Sequence, residues 1–121
     1  NLSVGYQLMG SFNEIVARGI TNLNFVPTPE EFSLHQNFPN PFNPVTKIKY
    51  DLIEDSKVNL IIYDITGREV KQLLNLTQEA GYHSIIWDGQ NSQGKNVGAG
   101  VYFYMIQASD FRQVRKMLLL K

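Results

Sequence analysis

Apolar and polar side chains alternate along most of this chain, and the alternation has the two-residue period of strands with one buried face. In residues 45–53, Ile48, Tyr50 and Leu52 share one face, while Lys47, Lys49 and Asp51 share the other. Residues 57–63 repeat this with Val58, Leu60 and Ile62. There Ile61 and Tyr63 make the second face partly apolar as well, the mark of a central strand. The next predicted strand, residues 82–87, sets His83, Ile85 and Trp87 opposite Tyr82, Ser84 and Ile86. Residues 101–108 are apolar on both sides, and residues 111–120 supply a last strand. Turn chemistry separates these runs. In Asp64-Ile65-Thr66-Gly67-Arg68, Asp64 can accept a backbone hydrogen bond and Gly67 can take positive φ, so residues 57–64 and 68–74 are expected to form a hairpin. Residues 88–95 make a polar turn, and Ser109-Asp110 makes another.

No helical period interrupts the series, and turn signals recur about every ten residues. The fold expected is all-β: an antiparallel immunoglobulin-like β-sandwich of about seven strands, its core filled by Trp87 and the tyrosines. At about 1.5–3 kcal/mol for each large apolar side chain removed from water, such a core offsets chain entropy without a metal or a covalent staple.

The N-terminal part has a pattern of its own. Leu2, Val4, Tyr6 and Leu8 alternate with Ser3, Gly5, Gln7 and Met9, and Gly10-Ser11-Phe12-Asn13 can turn the chain into a second extended run. Residues 1–26 therefore read as a hairpin, either the end of a preceding domain or a segment that docks on this sandwich or a neighbour's. Pro27-Thr28-Pro29-Glu30-Glu31 follows, and residues 27–33 are expected to be a stiff, solvated connector into a sandwich spanning residues 34–121. Asn37-Phe38-Pro39-Asn40-Pro41-Phe42-Asn43-Pro44 should be a rigid irregular loop pinned by its aromatic rings. The chain opens at Asn1 without a methionine or an apolar leader, which reads as a processed protein or a piece of a longer one.

Composition narrows the function classes. The chain has 121 residues, enough for one core, and its eleven Lys and Arg balance eleven Asp and Glu. Without a basic field, nucleic acid is not an expected partner, whereas near-zero net charge leaves self-association open. Cysteine is absent, which removes disulfides, thiolate metal sites and thiol nucleophiles. No apolar run approaches the roughly 20 residues of a membrane helix. His35 and His83 lack partners at ligand spacing, and Asp88, Gln90 and Ser92 resemble a calcium loop less than a turn. Asp51, Glu54 and Asp55 read as a solvated strand end, and the acceptor tripeptides at Asn1 and Asn75 decide nothing about glycosylation. No nucleophile–base pair or phosphate-cradling loop occurs, so the chain is not expected to be an enzyme or to hold a cofactor or metal.

The C-terminus is unusual: basic residues lead into Lys116, Met117, Leu118, Leu119, Leu120 and Lys121. It reads either as an ordinary last strand or as a terminal address presented to a receptor. Several motifs then resemble one family in their order along the chain. They are the run from Leu34 through Pro39, Asn40 and Pro41 to Pro44; the hairpin with Asp64, Gly67 and Arg68; Trp87-Asp88-Gly89; Gly100-Val101-Tyr102; and the terminal six residues. The succession is similar to the type A C-terminal sorting domain of type IX secretion, a family related to the immunoglobulin-like domain of the flagellar hook-capping protein. Phe38 stands where that family often has tyrosine, and Ala99 where it often has serine.

The resemblance implies a non-catalytic export address, recognised by an outer-membrane secretion translocon and removed by a sortase-like peptidase, on a protein secreted to the cell surface of a Gram-negative bacterium. It assigns recognition to residues 116–121, and the quoted prolines and glycines to the fold. A second reading is a structural subunit of a surface fibre that keeps this domain and binds neighbouring copies of itself by strand exchange through Leu2, Val4, Tyr6 and Leu8. A third, a carbohydrate-binding module, has little sequence support: the only Trp lies in a core strand pattern and no exposed aromatic platform is evident.

Overall fold

The structure, a computed structural model, describes residues 28–121. The predicted hairpin of residues 1–26 lies outside the described residues. Seven strands follow in order: β1 (Ser33–Leu34), β2 (Thr46–Leu52), β3 (Ser56–Tyr63), β4 (Glu69–Gln78), β5 (Gly81–Trp87), β6 (Gly100–Ala108) and β7 (Phe111–Leu119). They form an immunoglobulin-like sandwich of a three-stranded sheet, β1-β2-β5, and a four-stranded sheet, β4-β3-β6-β7. All strand pairs are antiparallel. Among the described residues there is no helix, and so none long and apolar enough to cross a membrane.

The alternation predicts the core faces of β2 and β3, and the fold selects that of β6. Ile48, Tyr50 and Leu52 of β2 face Val58, Leu60 and Ile62 of β3, and Tyr102, Tyr104 and Ile106 of β6 join them, all buried. β3 lies between β4 and β6, which explains why Ile61, on its outer face, is also buried. The β3–β4 hairpin closes as expected. Asp64 Oδ1 accepts from the amides of Thr66 and Arg68 at 2.9 and 3.0 Å, and Gly67 takes φ of 87°. The same carboxylate accepts from the Thr66 hydroxyl and lies 3.4 Å from Arg68 Nε. These contacts, the Thr66 hydroxyl first, hold its pKa below the usual value. β4 runs on to Gln78, with register shifts against β3 that fit its longer path.

Three expectations need correction. Phe38 does not pin the loop: its ring is 80% exposed, because backbone pairing with Lys47 aims the side chain away from the sandwich. Tyr82 is 62% exposed on the outer face of β5, so the tyrosine core consists of Tyr50, Tyr102 and Tyr104. The connector is not fully solvated either. Pro29 is buried, Phe32 stacks on Phe111 with ring centroids 5.4 Å apart, and Ser33 already pairs with Asp51.

Candidate functional site: the clamped C-terminal strand

β7 is an edge strand by sheet order, yet its open side is occupied. Residues 32–42 run beside it from its start to its end. Beyond the Phe32–Phe111 stack, Arg115 Nε donates to the Leu34 carbonyl at 2.5 Å, and Gln36 Nε2 donates to the Lys116 carbonyl at 2.8 Å. The Leu118 amide donates to Asn40 Oδ1 at 3.0 Å. Phe42 then pairs with Leu119 in parallel: its amide donates to the Leu118 carbonyl at 3.0 Å, and its carbonyl accepts from the Leu120 amide at 2.8 Å. The outward main-chain groups through which another strand would add at residues 118–120 are therefore already bonded within the chain.

The loop can do this because its other side is anchored. Phe42 is buried against Trp87, with ring centroids 5.7 Å apart, and Trp87 meets the edge of Tyr102 at 5.5 Å. Trp87 Nε1 donates to the Gln90 carbonyl and the Tyr102 hydroxyl to the Gly98 carbonyl, so both aromatic residues satisfy their polar atoms. Buried Asn37 ties the turn by donating from Nδ2 to the Pro39 carbonyl and to Thr46 Oγ1. The Tyr104 hydroxyl accepts from the Asn37 amide at 2.8 Å and donates to the His35 carbonyl at 2.7 Å. Burial pushes its pKa up to about 12, against the smaller opposing effects of the Asn37 amide and the Arg115 charge. Tyr102 and Tyr50 are raised chiefly by burial too. The peptide bonds preceding Pro39, Pro41 and Pro44 are cis.

Gly89, with φ of 77°, lies under this loop: a Cβ there would stand 3.0 Å from the Pro44 carbonyl oxygen. Thus Trp87-Asp88-Gly89 supports the proline loop, which in turn holds β7. Asp88 and Asn91 spend their side-chain oxygens on the amides of Gln90, Gln93 and Lys95, as the turn reading requires. No group of three or more His, Cys, Asp or Glu side chains able to hold a metal occurs among the described residues.

The terminal six residues divide by strand phase. Met117 and Leu119 point inward and are 1% exposed, Leu118 is half-buried on the outer face, and Lys116, Leu120 and Lys121 are exposed. Gly100 pairs with Leu119 and Tyr102 with Met117, so the late-strand motif and the tail form one ladder. Asp64, Gly67 and Arg68 belong to the β3–β4 turn and do not contact the tail by any hydrogen bond. Leu2, Val4, Tyr6 and Leu8 lie outside the described residues. Of the two rings expected to pin the loop, Phe42 does so; Gln36 and Tyr104 carry roles that the sequence did not single out, Gln36 lying ahead of the prolines and Tyr104 on one face of a strand apolar on both sides.

The FlgD Ig-like domain family matches residues 44–110, more than half of the chain. No curated protein matches it. Among solved structures, PorU of Porphyromonas gingivalis superposes with a TM-score of 0.56 at 24% identity, over 80% of this chain and 10% of that one. PorZ of the same organism, described as an essential bacterial surface component of the type IX secretion system, gives 0.51 at 19% identity, over 76% and 12%. FlgD of Xanthomonas campestris, described in connection with hook capping in flagellar assembly, gives 0.50 at 25% identity, over 75% and 63%. The chain thus spans about a tenth of PorU and PorZ, and their likeness is one of fold.

Proposed function

Because this chain belongs to the FlgD Ig-like domain family, we propose that its sandwich serves as a non-catalytic C-terminal sorting domain, directing the protein that carries it across the outer membrane to the cell surface of a Gram-negative bacterium. The observation that carries this reading is the construction of residues 116–121. Met117 and Leu119 anchor the segment in the core, the proline loop closes its main chain at residues 118–120, and Lys116, Leu120 and Lys121 are left exposed. An address read by a receptor gains from such a display, since a main chain ordered before binding need not be ordered on binding. The fold's occurrence in PorU and PorZ, the latter a component of type IX secretion, supports that system as the reader. The partners on this reading are the translocon and a sortase-like peptidase.

The test appends the whole chain to the C-terminus of a reporter enzyme in a bacterium with a type IX system. Reporter at the surface, open to added protease, is expected, together with retention inside when Lys116, Leu120 and Lys121 are all changed to serine. Retention of the reporter with the intact chain overturns the reading. Mass spectrometry for the tryptic peptide of residues 117–121 then separates removal of the domain, when that peptide is lost and upstream reporter peptides remain, from its retention.

A further inference from the structure

On the sheet that does not contain β7, the outer face carries an open cleft of about 820 Å³. Its floor is the outward phase of β2 and β5, where Lys47 pairs with Ile86, Lys49 with Ser84 and Asp51 with Tyr82. Phe38 pairs with Lys47 from the other side, so Phe38 and Tyr82 stand at opposite corners with Lys49 between them. Four residues along β2 separate the two corners, about 13 Å at the strand rise, and two strand spacings, about 9.6 Å, separate them across the sheet.

Both rings are displayed, Phe38 at 80% and Tyr82 at 62% exposure, and both stand on fixed backbone. Phe38 exchanges two hydrogen bonds of 2.9 Å with Lys47, and Tyr82 lies within a ladder. Neither ring contributes to the core, so holding them in water is a feature the fold does not require. Asp51 is the acid at this face, and it is paired with His35 at 2.8 Å. Lys47 and Lys49 are exposed and make no ion pair among the described residues. Two lysines against one carboxylate leave the floor between the rings net positive.

Rigid aromatic faces flanking free ammonium groups on an open surface suit a ligand with apolar faces, polar edges and negative charge. A pyranose ring has that form: its C–H face stacks on an aromatic ring while its edge offers hydroxyls and, in acidic sugars, carboxylate or sulfate. The cleft is too shallow to enclose a compact molecule but lets a chain pass across it. Single-stranded nucleic acid also stacks on aromatic rings, but its backbone needs cations at successive phosphates. Two lysines on a chain of zero net charge do not supply them. We infer that the outer face of the β1-β2-β5 sheet binds an acidic polysaccharide, stacked on Phe38 and Tyr82 with its anionic groups on Lys47 and Lys49. This site is independent of the sorting reading, since Lys116, Leu120 and Lys121 take no part in it.

The test is titration calorimetry of the full chain with polygalacturonate and a heparin oligosaccharide, using dextran as a neutral comparison and oligothymidylate as a nucleic-acid one. Binding of at least one acidic polymer is expected, weaker at higher salt, and reduced about tenfold or more by Phe38→Ala and by Tyr82→Ala, a change of about 1.4 kcal/mol each. Lys47→Gln with Lys49→Gln should remove the preference for acidic over neutral chains. Thermal melts verify each variant, and Tyr82→Thr replaces Tyr82→Ala if β5 loosens. No binding of either acidic polymer at millimolar sugar, binding indifferent to both aromatic substitutions, or equal affinity for oligothymidylate overturns the inference.

Discussion

The side-chain oxygen of Asn40 accepts the amide hydrogen of Leu118 at 3.0 Å, joining the proline loop to the last strand across 78 positions of the chain. With the Phe42 pairing next to it, this contact turns a sheet edge into a closed seam. The seam explains why a motif at the opening of the domain and one at its end occur together: each satisfies the other's main chain.

Asn40→Ala is expected to cost about 0.5–1.5 kcal/mol, the usual range for one hydrogen bond, and to speed hydrogen exchange at the Leu118 and Leu120 amides ahead of the rest of β7. Phe42→Ala, which empties a site 2% exposed, should cost about 3–5 kcal/mol. Exchange-detected NMR separates the two: unchanged protection at Leu118 in the Asn40 variant would show that the side-chain bond does not hold the tail.

Within the terminal segment, stability and export should come apart by strand phase. Met117→Ala is expected to lower stability by about 2–5 kcal/mol, whereas Lys116→Ala or Lys121→Ala should stay within about 0.5 kcal/mol. Urea denaturation measures both. A large loss from Lys116→Ala would contradict its outward placement.

The glycines of the two turn motifs should differ. Gly67→Ala meets no atom within 4 Å and bears only the strain of φ at 87°, about 1 kcal/mol. Gly89→Ala adds a 3.0 Å approach to the Pro44 carbonyl oxygen and should cost about 1–3 kcal/mol, with the near-ultraviolet signal of Trp87 disturbed. Equal costs would mean that the loop yields at Pro44 without penalty.

Tyr104 predicts an alkaline limit. Its pKa rises from 10.0 to about 12 on folding, so between these values the folded state holds a proton that the unfolded state has lost. The contribution is complete below pH 10 and falls by up to about 1.4 kcal/mol for each pH unit from 10 to about 12, as the phenol ionises in the unfolded state while the folded state still holds it protonated against the His35 carbonyl. Tyr104→Phe should lose about 1–3 kcal/mol at neutral pH and show a shallower decline above pH 10. Melting curves from pH 8 to about pH 12 give both readings; an unchanged alkaline slope would place the titrating group elsewhere.

Much of this architecture was legible in the sequence. The inward phase of β2 follows from strict alternation, because a strand with one wet face must place like residues two apart, and β3 keeps Val58, Leu60 and Ile62 in phase; β6, apolar on both faces, shows its inward phase only in the fold. The β3–β4 turn was readable from Asp64 and Gly67, whose partners lie within four residues. Phe38 and Phe42 show where such reading stops. Both are phenylalanines of one proline-rich loop, yet one is 80% exposed and the other 2%. The backbone pairing of Phe38 with Lys47 and of Phe42 with Leu119 decides which ring turns inward, and local pattern has no access to either partner.

The sequence by itself determined the alternating phase of β2, the turns and the immunoglobulin-like sandwich, because each depends on residues within a few positions or on the spacing of strands and turns. Tertiary structure alone decided that the terminal segment is split between core and display, that its edge is sealed by Gln36, Asn40 and Phe42, and that Phe38 and Tyr82 share one basic face. These are relationships between positions brought together only when two sheets close on one core, and main-chain hydrogen bonding, which carries no side-chain signature, sets most of them.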